Sequence, residues 1–206
     1  MNYLVTYRPL VRNGRGKVAI ARYGLAPYVD DSCRREPDFE AVFPSITGIC
    51  RGAKFAPRLS VSDTVVYLTV KGKYPDYRVG HWRLTAVLQV VNRFESHGDA
   101  AAWYRERGLE VPRNCMVPGN PPLPMDQTAN PHNYSNVRIW DAVYRRRVSK
   151  HSVFLACESL FRELHDPPVV TSEMLMEWFG RIPGTQTPPL ISDQQYRCLA
   201  ALAGIE

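Results

Sequence analysis

Residues 64–70 read TVVYLTV and residues 83–94 read RLTAVLQVVNRF. Both stretches are rich in β-branched and aromatic side chains and lie between polar turn residues, which predicts two strands. Ser62-Asp63 leads into the first, the polar loop 71–80 joins the two, and the second is long enough to bend around a small barrel. Upstream, Tyr3 to Tyr7 and Lys17 to Tyr23 are predicted as two more strands, joined by the turn-rich Arg12-Asn13-Gly14-Arg15-Gly16. Downstream, Ser96 to Arg107 predicts a helix, with Ser96 as N-cap, Asp99 in the first turn and Gly108 as the stop. Six prolines between Pro112 and Pro131 predict an extended arm or linker. Val137 to Arg147 predicts a helix with Ile139, Val143 and Trp140 on one face, and Ser152 to Ala156 a strand. Thr171 or Ser172 caps a short helix ending at Gly180, and Ser192 with Gln195 forms a capping box for a last helix stopping at Gly204. The expected fold is α+β: a small β-barrel or curved mixed sheet with peripheral helices and C-terminal helices. Residues 1–160 form the barrel domain, including the arm 112–131, and residues 161–206 a helical extension of the same domain.

The 206 residues are 45% hydrophobic and 22% charged, ordinary for a globular chain and unlike a disordered, fibrous or coiled-coil one. No apolar run approaches the roughly 20 residues of a membrane helix, and the first residues lack the apolar core of a signal peptide. A soluble, cytoplasmic protein with no membrane partner is expected. The net charge is +6, and residues 1–100 carry all of it, with 15 Lys+Arg against 9 Asp+Glu. Arginine outnumbers lysine 21 to 5, and guanidinium groups grip phosphates bidentately and stack on bases. A GC-rich genome gives the same ratio, though not the clustering. The five cysteines are widely spaced with no C-x-x-C, and the five histidines show no ligand spacing, so neither a metal nor a cofactor is expected.

The chemistry concentrates between Arg22 and Arg58, RYGLAPYVDDSCRREPDFEAVFPSITGICRGAKFAPR. Arg22, Arg34, Arg35, Arg51, Lys54 and Arg58 alternate with Tyr23, Tyr28 and Phe55, and Trp82 stands at the start of a strand. Cations that neutralise phosphates, interleaved with rings that stack on bases, suit nucleic acid. The plain alternative is that the rings are core and the arginines a solvated rim. Asp30, Asp31, Glu36, Asp38 and Glu40 in the same stretch read either as metal or acid–base carboxylates or as ion-pair partners of Arg34 and Arg35. Arg145-Arg146-Arg147 with Lys150 reads as a solvated helix end or a phosphate clamp, and Cys33 and Cys50 each precede an arginine. No P-loop, G-x-G-x-x-G or G-x-S-x-G is present.

FAPRLSVSDTVVYLT at 55–69, followed by RLTAVLQVVNRF, resembles the core of PUA-like domains of the EVE, ASCH and YTH group. Ser62 stands where those families place glycine before Asp63. YLVTYRPL, CRGAKFAPRL and SVFLACESLF are similar to the predicted nucleotide-modification-associated domains of phage and bacterial DNA-modification loci. The resemblance covers residues 3–160 and implies a small barrel whose cleft accepts a base, often modified, by base flipping. It also implies an enzymatic alternative, since some ASCH-type relatives hydrolyse modified nucleosides with Lys, Thr and Glu, here Lys54, Thr69 and Glu36. The expected function is therefore DNA, RNA or nucleotide binding through a base pocket, with DNA modification or phage defence as its setting. A hydrolase or transferase on a nucleotide is the first alternative, and a protein-interaction module using the arm 112–131 is the second.

Overall fold

In the computed structural model, which describes residues 1–75 and 77–205, the β-branched and aromatic runs pair into strands that are buried on both faces at the centre of the sheet. The strands are β1 (Asn2–Tyr7), β2 (Ser45–Thr47), β3 (Thr64–Thr69), β4 (Trp82–Phe94), β5 (Phe154–Arg162), β6 (Val169–Val170) and β7 (Leu190–Ile191). They form one open mixed sheet in the order β2-β5-β4-β3-β1-β7, with β6 added beside the start of β4. β1 runs parallel to β3, with Val5 opposite Tyr67, and the other pairings are antiparallel. The protein is thus α+β with a mixed sheet. β5 outruns the strand expected at 152–156 because it follows the long β4 through two register shifts.

A parallel pair needs a crossover, and this dictates the first correction. Residues 17–23 are not a strand; Gly14–Tyr23 is helix α1. Asn13 caps it by accepting a hydrogen bond from Gly16 N at 2.9 Å, and Gly24 closes it in the left-handed conformation. Val18 and Ile20 look like the inward residues of a strand, but the buried positions are Gly16 and Ala19, three apart. Gly16 is required there because a Cβ would meet the carbonyl oxygen of Leu10 at 1.7 Å.

α2 (His97–Glu106) and α3 (Val137–Val148) pack outside the sheet, and α4 (Ser172–Phe179) and α5 (Asp193–Leu202) follow. Ser96, Thr171 and Ser192 each accept a backbone hydrogen bond three residues on, as their spacing predicts. α3 buries Trp140, one of the residues of the expected face, but turns Asp141 and Tyr144 inward with it and leaves Ile139 exposed. The sheet is covered on both sides. Leu4, Val66, Leu68 and Leu84 pack under Leu175 of α4 and Leu199 of α5, while Val5, Tyr7, Tyr67 and Leu88 pack against Phe39, Phe55 and Leu59. The long segment between α1 and β3 therefore forms the second wall of the core, and the proline-rich arm lies against it. Among the described residues no helix is long and apolar enough to cross a membrane.

Candidate functional site

Arg34 and Arg35 organise the segment 30–47, and both are almost fully buried. Arg34 Nε donates to Asp141 Oδ1 at 2.6 Å, and its Nη1 donates to the carbonyls of Asn120 (2.7 Å) and Arg113 (3.3 Å). Arg35 Nη1 donates to the carbonyl of Asp30 at 2.7 Å, and Nη2 to that of Gln127 at 3.1 Å. These two arginines clamp the loop to the arm and to α3. They are not the phosphate contacts expected of them: most of their donors are spent on Asp141 and on backbone carbonyls, and the two left without a hydrogen bond, Arg34 Nη2 and Arg35 Nε, are themselves shut away from solvent.

The clamped loop presents three carboxyl groups to a cleft of about 340 Å³ beside β1 and β3. Glu36 accepts from Thr47 N (2.9 Å), Thr47 Oγ1 (2.6 Å) and Asn114 Nδ2 (2.9 Å). Burial nevertheless outweighs these bonds and pushes it up to about 8. Asp30 Oδ1 accepts from the backbone N–H groups of Ser32 and Glu36, both at 2.9 Å, and burial raises it to about 6. The carboxyl of Asp31 accepts no hydrogen bond among the described residues; Arg8 Nε lies 3.5 Å from its Oδ2. Burial first, and Asp30 second, push Asp31 to about 8. An acid in that range holds a proton at neutral pH and can give or take one at a bound group.

Aromatic rings line the same cleft. Tyr7 and Tyr67 come from alternate, same-face positions of β1 and β3, Phe55 from the turn before β3, and Trp140 and Tyr144 from the buried face of α3. Arg8, Arg51 and His132 complete the lining and are less buried. Arg51 Nη1 donates to the carbonyls of Thr185 (2.7 Å) and Gln186 (3.0 Å), and Nη2 to that of Thr6, so it holds the 185–186 segment against β1. Cys50 also lines the cleft, its Sγ 3.8 Å from the Glu36 carbonyl. Desolvation, then Asp30 and Glu36, hold its thiol well above the ordinary range, so it is a neutral thiol. Among the described residues no three His, Cys, Asp or Glu side chains are placed to hold a metal ion.

Of the ten binding residues the sequence suggests, Arg51 and Phe55 line this cleft. Lys54 and Arg58 are exposed on the short turns flanking Phe55. Arg22 lies over the ring of Tyr23 at 5.1 Å, and both engage Asp126 at the far end of α1. Tyr28 is core, packed on Tyr74. Trp82 is buried on the opposite face of the sheet under Lys71, whose Nζ is 4.9 Å from the ring. The set Lys54, Thr69 and Glu36 is not gathered in the cleft either: Thr69 is wholly buried with Oγ1 accepting from Arg83 N, and Lys54 is exposed. Asp38 borders a second hollow of about 550 Å³ and spends its oxygens on the N–H groups of Glu40, Ala41 and Arg113. Sequence reasoning misses Arg8, Tyr7, Tyr67, Tyr144 and His132. The alternation of β1 and β3 is the signal that puts Tyr7 and Tyr67 on one face; nothing local points to the others.

No protein-family model matches the chain, and neither a curated protein nor a solved structure matches it.

Proposed function

We propose that this protein binds a nucleobase, carried by DNA, RNA or a free nucleotide, in the cleft between β1, the clamped loop and α3. The observation that carries the reading is the union in one cavity of aromatic side chains, buried carboxyls and less buried arginines. Rings stack on a base, carboxyls meet its polar edge, and the Arg8 guanidinium faces its phosphate. The volume is that of a small-ligand pocket. Exposed Lys54 and Arg58 beside Phe55 extend the positive charge along a path a phosphodiester chain can follow. On this reading the sheet and cleft serve as a PUA-like domain serves, holding a base, modified or not, away from its stack. Titration with short single- and double-stranded DNA and RNA, and with nucleoside monophosphates, at about 50 and about 200 mM salt tests the proposal. Binding that weakens with salt is expected. Absent binding, or binding of polynucleotide indifferent to salt, overturns it.

A further inference from the structure

The three carboxyl groups of the cleft are not equivalent. Glu36 is engaged by three donors and Asp30 by two, and both hold the loop in shape. Asp31 is as buried as they are, its side chain 6% exposed, yet it has no hydrogen-bond donor of its own. Its nearest cation, Arg8, approaches with Nε at 3.5 Å, and that N–H itself makes no hydrogen bond. The backbone of Asp31 is pinned on both sides, N–H to the Arg8 carbonyl and carbonyl to the Ala129 N–H, each at 3.0 Å. The side chain is thus held in the cleft with the Arg8 ion pair and, among the described residues, no hydrogen bond from the protein.

We propose, on the reading of the cleft as a base pocket, that Asp31 is the group that meets the base, and that the edge it meets sets a ring-nitrogen acceptor beside an amino donor, as in cytosine and adenine.

An ionised carboxylate with no protein donor and little room for water is costly, and taking up a proton relieves that cost. The neutral acid then offers one O–H donor and one carbonyl acceptor side by side. A ring nitrogen is a more basic acceptor than a carbonyl oxygen, so the O–H pairs best with cytosine N3 or adenine N1 while the adjacent amino group donates back. Guanine presents two donors on its N1/N2 edge and suits the ionised form instead. The charged groups acting on Asp31 are Asp30, which favours the proton, and Arg8, Arg35 and Arg12, which oppose it; burial decides for the proton, to about 8. Across the cleft, Glu36 is itself held toward its neutral form, and His132 is lowered by desolvation and then by Arg8 and Arg147. Arg51 is the remaining cation of the lining, and its donors are engaged with carbonyls.

The test is titration of the full chain with AMP, CMP, GMP and UMP at about pH 6.5 and about pH 9.5, on either side of the Asp31 transition. Wild type is expected to bind AMP and CMP about tenfold more tightly than UMP and GMP at the lower pH, and to lose that preference at the higher. Asp31→Asn keeps a donor beside an acceptor at every pH and is expected to keep the preference at both; Asp31→Ala loses it at both. Circular dichroism of each variant shows that the fold is retained. Equal binding of all four nucleotides by wild type, or a preference unchanged in Asp31→Ala, overturns this inference and leaves the base pocket standing. Binding of none of the four overturns the pocket itself.

Discussion

Arg34 and Asp141, 107 positions apart in the chain, meet through a 2.6 Å hydrogen bond from Nε to Oδ1 with both side chains out of solvent. Asp141 also accepts from Arg145 Nε at 3.0 Å on the outer side of α3. The pair bolts α3, which carries Trp140 and Tyr144, to the loop that carries Asp31 and Glu36, and so holds two walls of the cleft at a fixed separation.

Removing Arg34 leaves Asp141 buried with the more exposed Arg145 as its one cation among the described residues, and removing Asp141 leaves the Arg34 charge facing carbonyls alone. Arg34→Ala is expected to destabilise the fold by about 3 kcal/mol or more, read from urea unfolding, and Asp141→Asn by less because one oxygen acceptor remains. The double variant Arg34→Met with Asp141→Leu is expected to recover part of the loss. Strict additivity of the two single changes would show that the pair is not coupled.

Glu36 sets a pH dependence whose sign is fixed. Its pKa rises from 4.5 to about 8 on folding, so the folded chain binds that proton more tightly than the unfolded one. The stabilising contribution is whole below the unfolded value and is lost as pH climbs through the folded one. Wild type is therefore expected to lose thermal stability between about pH 5 and about pH 8.5, and Asp31 adds to the same slope. Glu36→Gln, which cannot ionise, begins from a lower stability because its amide faces donors, but its Tm should fall less over that span. Parallel slopes for the two proteins would remove Glu36 as the cause.

Cys50 is the exposed cysteine, but its thiol is held in the protonated form. Alkylation at Cys50, followed residue by residue by mass spectrometry, is expected to be slow at about pH 7.5 and still rising at about pH 9.5. A nucleotide that occupies the cleft should protect it. A reaction that levels off near neutral pH would mean a thiolate, and an altogether different electrostatic balance in the cleft.

Gly16 sits where α1 crosses the Leu10 turn, and a methyl group there meets backbone rather than a yielding side chain. Gly16→Ala is expected to cost on the order of 3 kcal/mol by displacing α1, despite alanine's better helix propensity. Gly14→Ala, with open space around its Cβ position, serves as the control and should be neutral or slightly stabilising.

Much of the frame was legible before any contact was known. β1, β3 and β4 show in the alternation of TVVYLTV, RLTAVLQVVNRF and the first residues, and α2, α4 and α5 show in Ser96, Thr171 and Ser192. α1 reads as a strand in the sequence because Val18 and Ile20 mimic one, while the features that decide for a helix, the Asn13 cap and the burial of Gly16 and Ala19, are respectively a weak motif and a tertiary fact. The acidic residues of the cleft were visible as a cluster, but their roles were not. Arg35 has the local ion-pair partner that the sequence offers, Glu40 at 3.5 Å, whereas the partner of Arg34, Asp141, is known only once α3 is in place.

Periodicity and capping are local: a strand alternates and a helix cap reaches three residues, so chain order alone carries both, along with the +6 that singles out the first hundred residues. Burial is not local. Whether an arginine grips phosphate or a carbonyl, and whether Asp31 is an anion or an acid, depends on how much water the rest of the chain leaves beside it. Arg8, Asp31, Tyr67 and Trp140 become neighbours of one cleft only when β1, the loop, β3 and α3 pack together. The fold thus turns a diffuse positive charge into a pocket with a protonated carboxyl in its lining.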